Sequence, residues 1–204
     1  LDPLEIIKNY GVDQLRYYLV KEVSLGNDGS ISLENLKNCI NNDLANNFGN
    51  LCQRVFSFID KNCNSKIPSP DKLNDKDKEL LDGIIKKLPK LKQMIDNQEL
   101  NLYIKEVINF SFNSNKYFND LEPWKLKKTN LARMNTVLYC ILNQIKSISI
   151  LLHPIMPNSI EKTFEKMGLK KENIALSKVE DLKLIKPGSS IKKGDILFKK
   201  IESE

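Results

Sequence analysis

The chain is poor in the residues that build metal centres and catalytic triads. Its 204 residues contain a single histidine, His153, and four cysteines with no C-x-x-C pair. A structural zinc site needs four close cysteine or histidine ligands, and no spacing in this sequence offers them. Scattered cysteines in apolar stretches are typical of core residues in a reducing compartment. We therefore expect no metal in this chain and a cytoplasmic location.

Sequence signatures of several enzyme classes are also missing. There is no G-x-G-x-x-G, no P-loop, no G-x-S-x-G and no H-E-x-x-H. His153 precedes Pro154 at a predicted helix end, where a residue that caps terminal carbonyls is expected. The acidic pair Asp75 and Asp77 lies among lysines, which predicts solvent exposure. We expect no catalytic residues here, and an enzyme that uses His153 or these acids stays an alternative.

Long hydrophobic runs are absent as well. No segment reaches the roughly 18 uncharged apolar residues that a membrane span needs, so we expect no membrane contact. The chain opens with LDPLEIIKNYG, without Met and without the pattern of a signal sequence. This start predicts a piece of a longer protein. The net charge of +6 permits an anionic partner but does not require one.

Apolar residues recur at helical spacing almost everywhere up to residue 168, which predicts an all-α helical bundle over residues 32–168. The pattern changes after that point, where Pro187-Gly188 and Gly194-Asp195 separate short alternating segments. Residues 169–204 are therefore predicted to form a short extended C-terminal tail that packs on the bundle.

The longest periodic segment runs from Leu33 to Lys61 and predicts one helix. With Leu44 taken as 0° and 100° added per residue, Phe48, Leu51, Val55 and Phe58 fall within about 40° of Leu44 and form an apolar face with it. Asn46, Asn50 and Arg54 fall at about 200°, 240° and 280°, on the other side. This row is either a solvent-exposed polar face or a hydrogen-bonding surface that reads the edges of unstacked nucleobases.

Trp124, the only tryptophan, follows Pro123 and precedes three lysines, Lys125, Lys127 and Lys128. The Pro-Trp pair predicts a non-helical corner between two helices. An indole beside lysines can stack on a splayed base while the ammonium groups contact phosphates. Half-buried packing of the ring in the corner is the other interpretation.

Four strings carry a family resemblance: DPLEIIKNYGVDQLRYYLVKEVSLGNDGSIS, NNDLANNFGNLCQRVFSFI, NDLEPWKLKK and LLHPIMPNSIEKTF. In this order, and with the tail PGSSIKKGDILFKKIE, the chain resembles the C-terminal half of class I methionyl-tRNA synthetases. The synthetases for isoleucine, valine, leucine and cysteine share the Y-G-x-D-x-L-R opening. The NDG loop and the Pro-Trp pair are similar to the methionine branch.

The resemblance implies an anticodon-binding domain that recognises the CAU anticodon of methionine tRNA. It implies that Asn50 and Arg54 contact the first anticodon base, a cytosine, with Asn46 in a supporting role. It also implies that Trp124 stacks on exposed bases of the loop. Residues 1–31 are similar to the module that links the catalytic domain to the bundle and touches the tRNA stem.

The resemblance further implies a parent enzyme that joins methionine to its tRNA with ATP and Mg²⁺, with zinc, in members that carry it, held by the catalytic half. Neither an H-I-G-H-like run nor K-M-S-K-S occurs in this sequence. We therefore expect this chain alone to be inactive and the catalytic domain to be its natural partner. We expect no additional C-terminal tRNA-binding or dimerising domain of the kind that some relatives carry, and hence a monomer.

Two other functions remain open on sequence alone. The first is the anticodon-binding domain of another class I synthetase, for isoleucine, valine, leucine or cysteine, which competition between tRNAs would reveal. The second is a helical protein-interaction module, in which the row of Asn46, Asn50 and Arg54 only faces solvent and an apolar groove binds a partner helix. Failure to bind any tRNA at any salt concentration would favour that module.

Overall fold

A computed structural model describes residues 2–23, 26, 31–192 and 194–202, and helices dominate it. The helices are α1 (Pro3–Tyr10), α2 (Val12–Glu22), α3 (Leu33–Cys39), α4 (Gly49–Asn62), α5 (Asp75–Asp96), α6 (Leu100–Leu121), α7 (Pro123–Thr129), α8 (Leu131–Leu152) and α9 (Pro157–Lys166). Within the described ranges, the only β-type pairing is one isolated bridge between Lys66 and Ser190. The predicted all-α bundle is confirmed. The NDG loop at residues 27–29 lies outside the described residues.

Helix α8 forms the centre of the bundle. Nearly every residue from Met134 to Leu152 is buried, so the helix is covered on all sides. By length and composition alone it could cross a membrane, but 94% of its most apolar window is buried inside the protein. Helices α4, α5, α6, α7 and α9 pack against it. Its apolar composition is therefore that of a core helix.

The segment predicted as one long helix contains a wider, π-helical turn. Residues Ile40–Phe48 form this segment, and α3 and α4 continue it on either side. The Gly49 amide donates to the Leu44 carbonyl, five residues back, as in a π-helix. A Cβ on Gly49 would lie 2.7 Å from that carbonyl oxygen and 3.1 Å from the Phe198 ring. Glycine is therefore the residue that allows both contacts.

Asp77 corrects one prediction, because its carboxylate is fully buried rather than solvent-exposed. Arg133 of α8 donates two hydrogen bonds to it, of 2.6 and 2.7 Å, and the Tyr117 hydroxyl donates another. Burial raises the pKa of Asp77, but these hydrogen bonds lower it by more, so the carboxylate stays ionised. The partner that neutralises this carboxylate is Arg133, 56 residues away, rather than a lysine beside it in the sequence.

The C-terminal tail packs on the bundle through three short 3₁₀ turns and four buried apolar side chains: Val179, Ile185, Ile191 and Phe198. Lys146 of α8 is fully buried beneath it. Its ammonium group donates to the carbonyls of Val179, at 3.0 Å, and Asp181, at 2.8 Å. Burial lowers the pKa of Lys146 to about 8. A hydrogen-bonded lysine therefore anchors the tail to the core helix.

The Y-G-x-D-x-L-R segment ties α2 to the turn between α8 and α9. The Asp13 carboxylate of α2 accepts a 2.6 Å hydrogen bond from the Ser159 amide in the first turn of α9. The Arg16 guanidinium donates to the carbonyls of Pro154, at 2.9 Å, and Ile155, at 2.7 Å. The charged residues of this motif thus serve to hold α2 against the α8–α9 turn.

Candidate nucleic-acid interface

A shallow depression of about 260 Å³ lies where α4 meets the corner between α6 and α7. We name it the corner depression, and its lining residues are Arg54, Ser57, Phe58, Lys61, Asn62, Phe118 and Trp124. Two residues that the sequence singled out separately, Arg54 and Trp124, therefore line one surface feature. They come from segments 70 positions apart in the chain.

An aromatic cluster forms the apolar part of the corner depression. The Phe118 ring lies edge-on to Phe58, with ring centroids 6.3 Å apart, and to Trp124, with centroids 5.9 Å apart. Phe118 is buried, whereas Trp124 remains 41% exposed. The indole is thus fixed at one edge by a buried ring and still presents a large surface to solvent, as a stacking platform requires.

The Arg54 guanidinium is held in place by two contacts to α6. Its central carbon lies 4.7 Å from the centroid of the Phe118 ring, and one amino group donates a 2.7 Å hydrogen bond to the Asn119 side-chain oxygen. Burial lowers the pKa of Arg54 from its ordinary value, but a guanidinium stays charged at neutral pH. No other hydrogen bond from this side chain is made within the described residues, so most of its five N–H donors are available to a ligand.

The backbone around Trp124 differs from the sequence prediction. The Pro-Trp pair was expected in a non-helical corner, but Pro123 and Trp124 open the helix α7. Proline suits the first position of a helix, where its missing N–H needs no partner. The corner is made instead by Glu122, which adopts a left-handed conformation with φ 44° and ψ 61°. This sharp turn places the indole beside the end of α6.

Asn46 and Asn50 do not line the corner depression. Asn50 is half-buried in the first turn of α4, one helical turn from Arg54, whereas Asn46 is exposed within the π-helical segment. The regular rotation of 100° per residue does not hold across that segment. The row predicted from the sequence is therefore regular only between Asn50 and Arg54.

The three lysines after Trp124 are all exposed, and we name them the α7 lysines: Lys125, Lys127 and Lys128. The Lys125 ammonium forms a 2.9 Å ion pair with Glu122, so part of its charge is already neutralised. The other two lie in the last turn of α7, near the end of the helix that carries the indole. None of the three lines the corner depression itself.

Sequence reasoning missed Phe118 and Asn119, the residues that hold Arg54 and Trp124. Both lie on α6, and Asn119 is 65 residues from the arginine that it binds. Their spacing from Trp124 has no regular period, because the left-handed turn at Glu122 separates them. The crossing of α4 and α6 brings these residues together, and the spacing of residues along one helix does not predict where two helices cross.

His153 and the cysteines, which were considered for catalysis or metal binding, occupy structural positions. His153 caps the C-terminus of α8, and its ring nitrogen lies 3.5 Å from the Glu161 carboxylate. The four cysteines are unpaired, and burial raises the pKa of Cys52 and Cys140, the latter to about 12. Over the described parts of the chain, no group of three or more His, Cys, Asp or Glu side chains could hold a metal ion.

Two family descriptions match the chain. One, "Anticodon binding domain of methionyl tRNA ligase", covers residues 67–204, and another, "tRNA synthetases class I (M)", covers residues 1–56. The methionine–tRNA ligase of Thermotoga maritima is 34% identical over 205 residues, which span all of this chain and 32% of that protein. The enzyme of Brucella suis is 42% identical over 165 residues, 81% of this chain and 32% of that protein.

Solved structures of methionyl-tRNA synthetase are also similar. The apo form of the Mycobacterium tuberculosis enzyme superposes with a TM-score of 0.93 at 31% identity, over 100% of this chain and 42% of that one. The same enzyme bound to methionyl-adenylate gives 0.92 at 32% identity, over 98% of this chain and 40% of that one. The chain thus spans about a third of the length of its curated relatives. It belongs to the methionyl-tRNA synthetase family and comprises the family's anticodon-binding domain.

Proposed function

We propose that this chain recognises the CAU anticodon of methionine tRNA through the corner depression. The single observation that supports this most strongly is the pairing of a half-exposed indole with a pre-positioned guanidinium in one depression. Together they supply the two components of single-stranded RNA recognition, which are a stacking face and an edge-reading donor.

Trp124 supplies the stacking face. Base–aromatic stacking contributes about 1–3 kcal/mol per base and accepts every base, because each base has a π-face. The contact with Phe118 fixes the ring before the RNA arrives, so little side-chain entropy is lost on binding. Trp124 therefore contributes affinity, and the choice of base rests on other residues.

Arg54 and Asn50 supply the choice of cytosine at the first anticodon position. A guanidinium has donors only, which match the O2 and N3 acceptors of cytosine but oppose the N3–H donor of uracil. The Asn50 amide oxygen can accept from the cytosine amino group, and the exposed Asn46 of the π-helical segment has a supporting role. Wrong pairing at one base should cost about 1–3 kcal/mol.

The α7 lysines and the N-terminal helices complete the proposed tRNA contact. The lysines contact phosphates of the loop, and residues 1–31 contact the tRNA stem while they link the bundle to a catalytic domain. The whole enzyme would join methionine to tRNA with ATP and Mg²⁺ as a cytoplasmic monomer. Its relative from M. tuberculosis binds methionyl-adenylate. The absent catalytic domain would perform that chemistry, whereas this chain selects the tRNA.

Binding of hairpin RNAs tests the proposal. The probe is a hairpin whose loop carries CAU, with affinity measured by fluorescence anisotropy against the full 204-residue chain. Trp124→Ala should weaken binding about tenfold or more, because the stacking contribution is lost. Trp124→Phe should retain most of it, since a ring remains.

The matched control is Leu131→Ala, which removes another exposed apolar side chain just beyond α7. This variant should bind as the wild type does. Circular dichroism melting verifies that each variant is folded. Wild-type affinity in Trp124→Ala, or equal affinity of the wild type for the hairpin and for an unrelated duplex RNA, would contradict the proposal.

A further inference from the structure

A second depression, of about 320 Å³, lies further along the crossing of α6 with the π-helical segment. We name it the Phe112 depression, and its lining residues are Lys21, Asp43, Asn47, Lys105, Ile108, Asn109 and Phe112. The Phe112 side chain is 61% exposed, more than Trp124. A phenyl ring with this exposure buries little apolar area, so its contribution to folding does not explain its presence.

Phe112, at this depression, and Asn119, which holds Arg54 at the corner depression, lie along one face of α6. Phe112 and Asn119 are seven residues apart, which is close to two helical turns, so their side chains leave the helix in nearly the same direction about 10 Å apart. Asn119 binds Arg54 at the corner depression. Between these two positions, the Asn115 amide donates to the Asn47 backbone and side-chain oxygens, at 3.1 and 3.2 Å. This contact joins α6 to the π-helical segment along the face.

The charges around the Phe112 ring favour an anionic ligand. The Asp43 carboxylate is already bound by the Tyr17 hydroxyl and by the Lys21 ammonium, each at 2.7 Å. Lys105 is exposed about two turns before Phe112 on α6 and forms no ion pair within the described residues. The Lys105 ammonium is therefore available to an anionic ligand, beside an exposed ring and the Asn109 amide, whereas the Asn47 side chain is already bonded to Ile108 and Asn115.

We propose that Phe112 is a second stacking platform, which binds a nucleotide of the same RNA loop outside the first anticodon position. The Lys105 ammonium contacts its phosphate, and the Asn109 amide reaches the edge of its base. This inference rests on the proposed function, because it takes the RNA held at Trp124 as the source of the nucleotide. A ring, a cation and an amide are the same kinds of group that the proposed function uses at Trp124, Arg54 and Asn50.

Hairpin binding by three Phe112 variants tests this subsite. Phe112→Ala should weaken binding of the CAU hairpin about fivefold or more, since stacking is lost. Phe112→Leu keeps apolar bulk without a π-face and should weaken it equally, whereas Phe112→Tyr should bind as the wild type does. Leu102→Ala, which removes another exposed apolar side chain of α6, is the matched control and should be unchanged.

A scan of hairpins with one abasic nucleotide identifies the base that stacks. One loop position should weaken binding by the wild type but have no further effect in Phe112→Ala. If Phe112→Leu binds as the wild type does, the ring has no stacking role, and apolar contact with a protein partner explains its exposure better. If Phe112→Ala is unchanged while Trp124→Ala is weakened, the subsite is refuted and the proposed function stands. If neither variant is weakened, the proposed function is refuted, and the subsite that rests on it is refuted with it.

Discussion

Asn119 should control how tightly RNA binds without touching the RNA itself. Its side-chain oxygen accepts the 2.7 Å hydrogen bond that, with the Phe118 ring 4.7 Å below, orients the Arg54 guanidinium. An arginine side chain carries about 2 kcal/mol of rotamer entropy when free. If Asn119 supplies about half of that restraint, Asn119→Ala should lose roughly 1 kcal/mol of binding free energy when Arg54 is ordered by the RNA, which is about fivefold in affinity.

The assay is a double-mutant cycle with the CAU hairpin. Asn119→Ala should weaken binding about fivefold in the wild-type background but have little effect in the Arg54→Gln background, where no guanidinium remains to orient. Asn113→Ala, an exposed asparagine elsewhere on α6, serves as the control and should be neutral in both backgrounds. An equal loss in both backgrounds would show that Asn119 acts independently of Arg54 and would refute the positioning argument.

Three further predictions concern charge. Burial lowers the pKa of Lys146 to about 8, so folding favours the neutral amine. Between pH 8 and 10.5 the free energy of unfolding of the wild type, relative to that of Lys146→Met, should therefore rise by at most about 3 kcal/mol. A difference that stays constant with pH in urea melts would contradict this. Arg133→Met should destabilise the fold by about 3 kcal/mol at pH 7, because it leaves the buried Asp77 carboxylate unpaired. Since the pKa of Asp77 is lowered in the wild type, this stabilisation is present above about pH 4 and is lost in more acidic solution, so acid titrations of the two proteins should converge. Changing any of the α7 lysines to glutamine should reduce the slope of log affinity against log salt by about 0.7, with the cytosine preference unchanged and the smallest effect at the lysine paired with Glu122.

The helices were predictable from the sequence because their apolar spacing and caps are local. Asp2 accepts from the amide of Leu4, as expected for a residue that caps α1, and Ser32 caps α3 in the same way. The π-helical segment was not predictable, because Ile40, Leu44 and Phe48 are spaced four apart and fit a regular helix equally well. Gly49 is the one local sign of the wider turn, and its meaning depends on Phe198 of the distant tail.

The candidate site was predictable only in part. Arg54 and Trp124 could be chosen as unusual residues, and they do line one depression. Their support by Phe118 and Asn119 required the packing of α6 against α4, which is a long-range property. Asp77 shows the same limit, since its sequence neighbours suggested a solvated acid while its partner Arg133 lies on another helix.

Base selection by Arg54 tests anticodon recognition by this domain directly. Affinities of the wild type and of Arg54→Gln are measured for hairpins that differ only in the first anticodon base, CAU against UAU. The wild type should prefer CAU by about fivefold or more, and Arg54→Gln should lose most of that preference, because a glutamine amide can face either base. Lys61→Gln, which removes a cation from the same depression, should weaken both hairpins equally. An unchanged ratio in Arg54→Gln would contradict the claim that this guanidinium reads the anticodon.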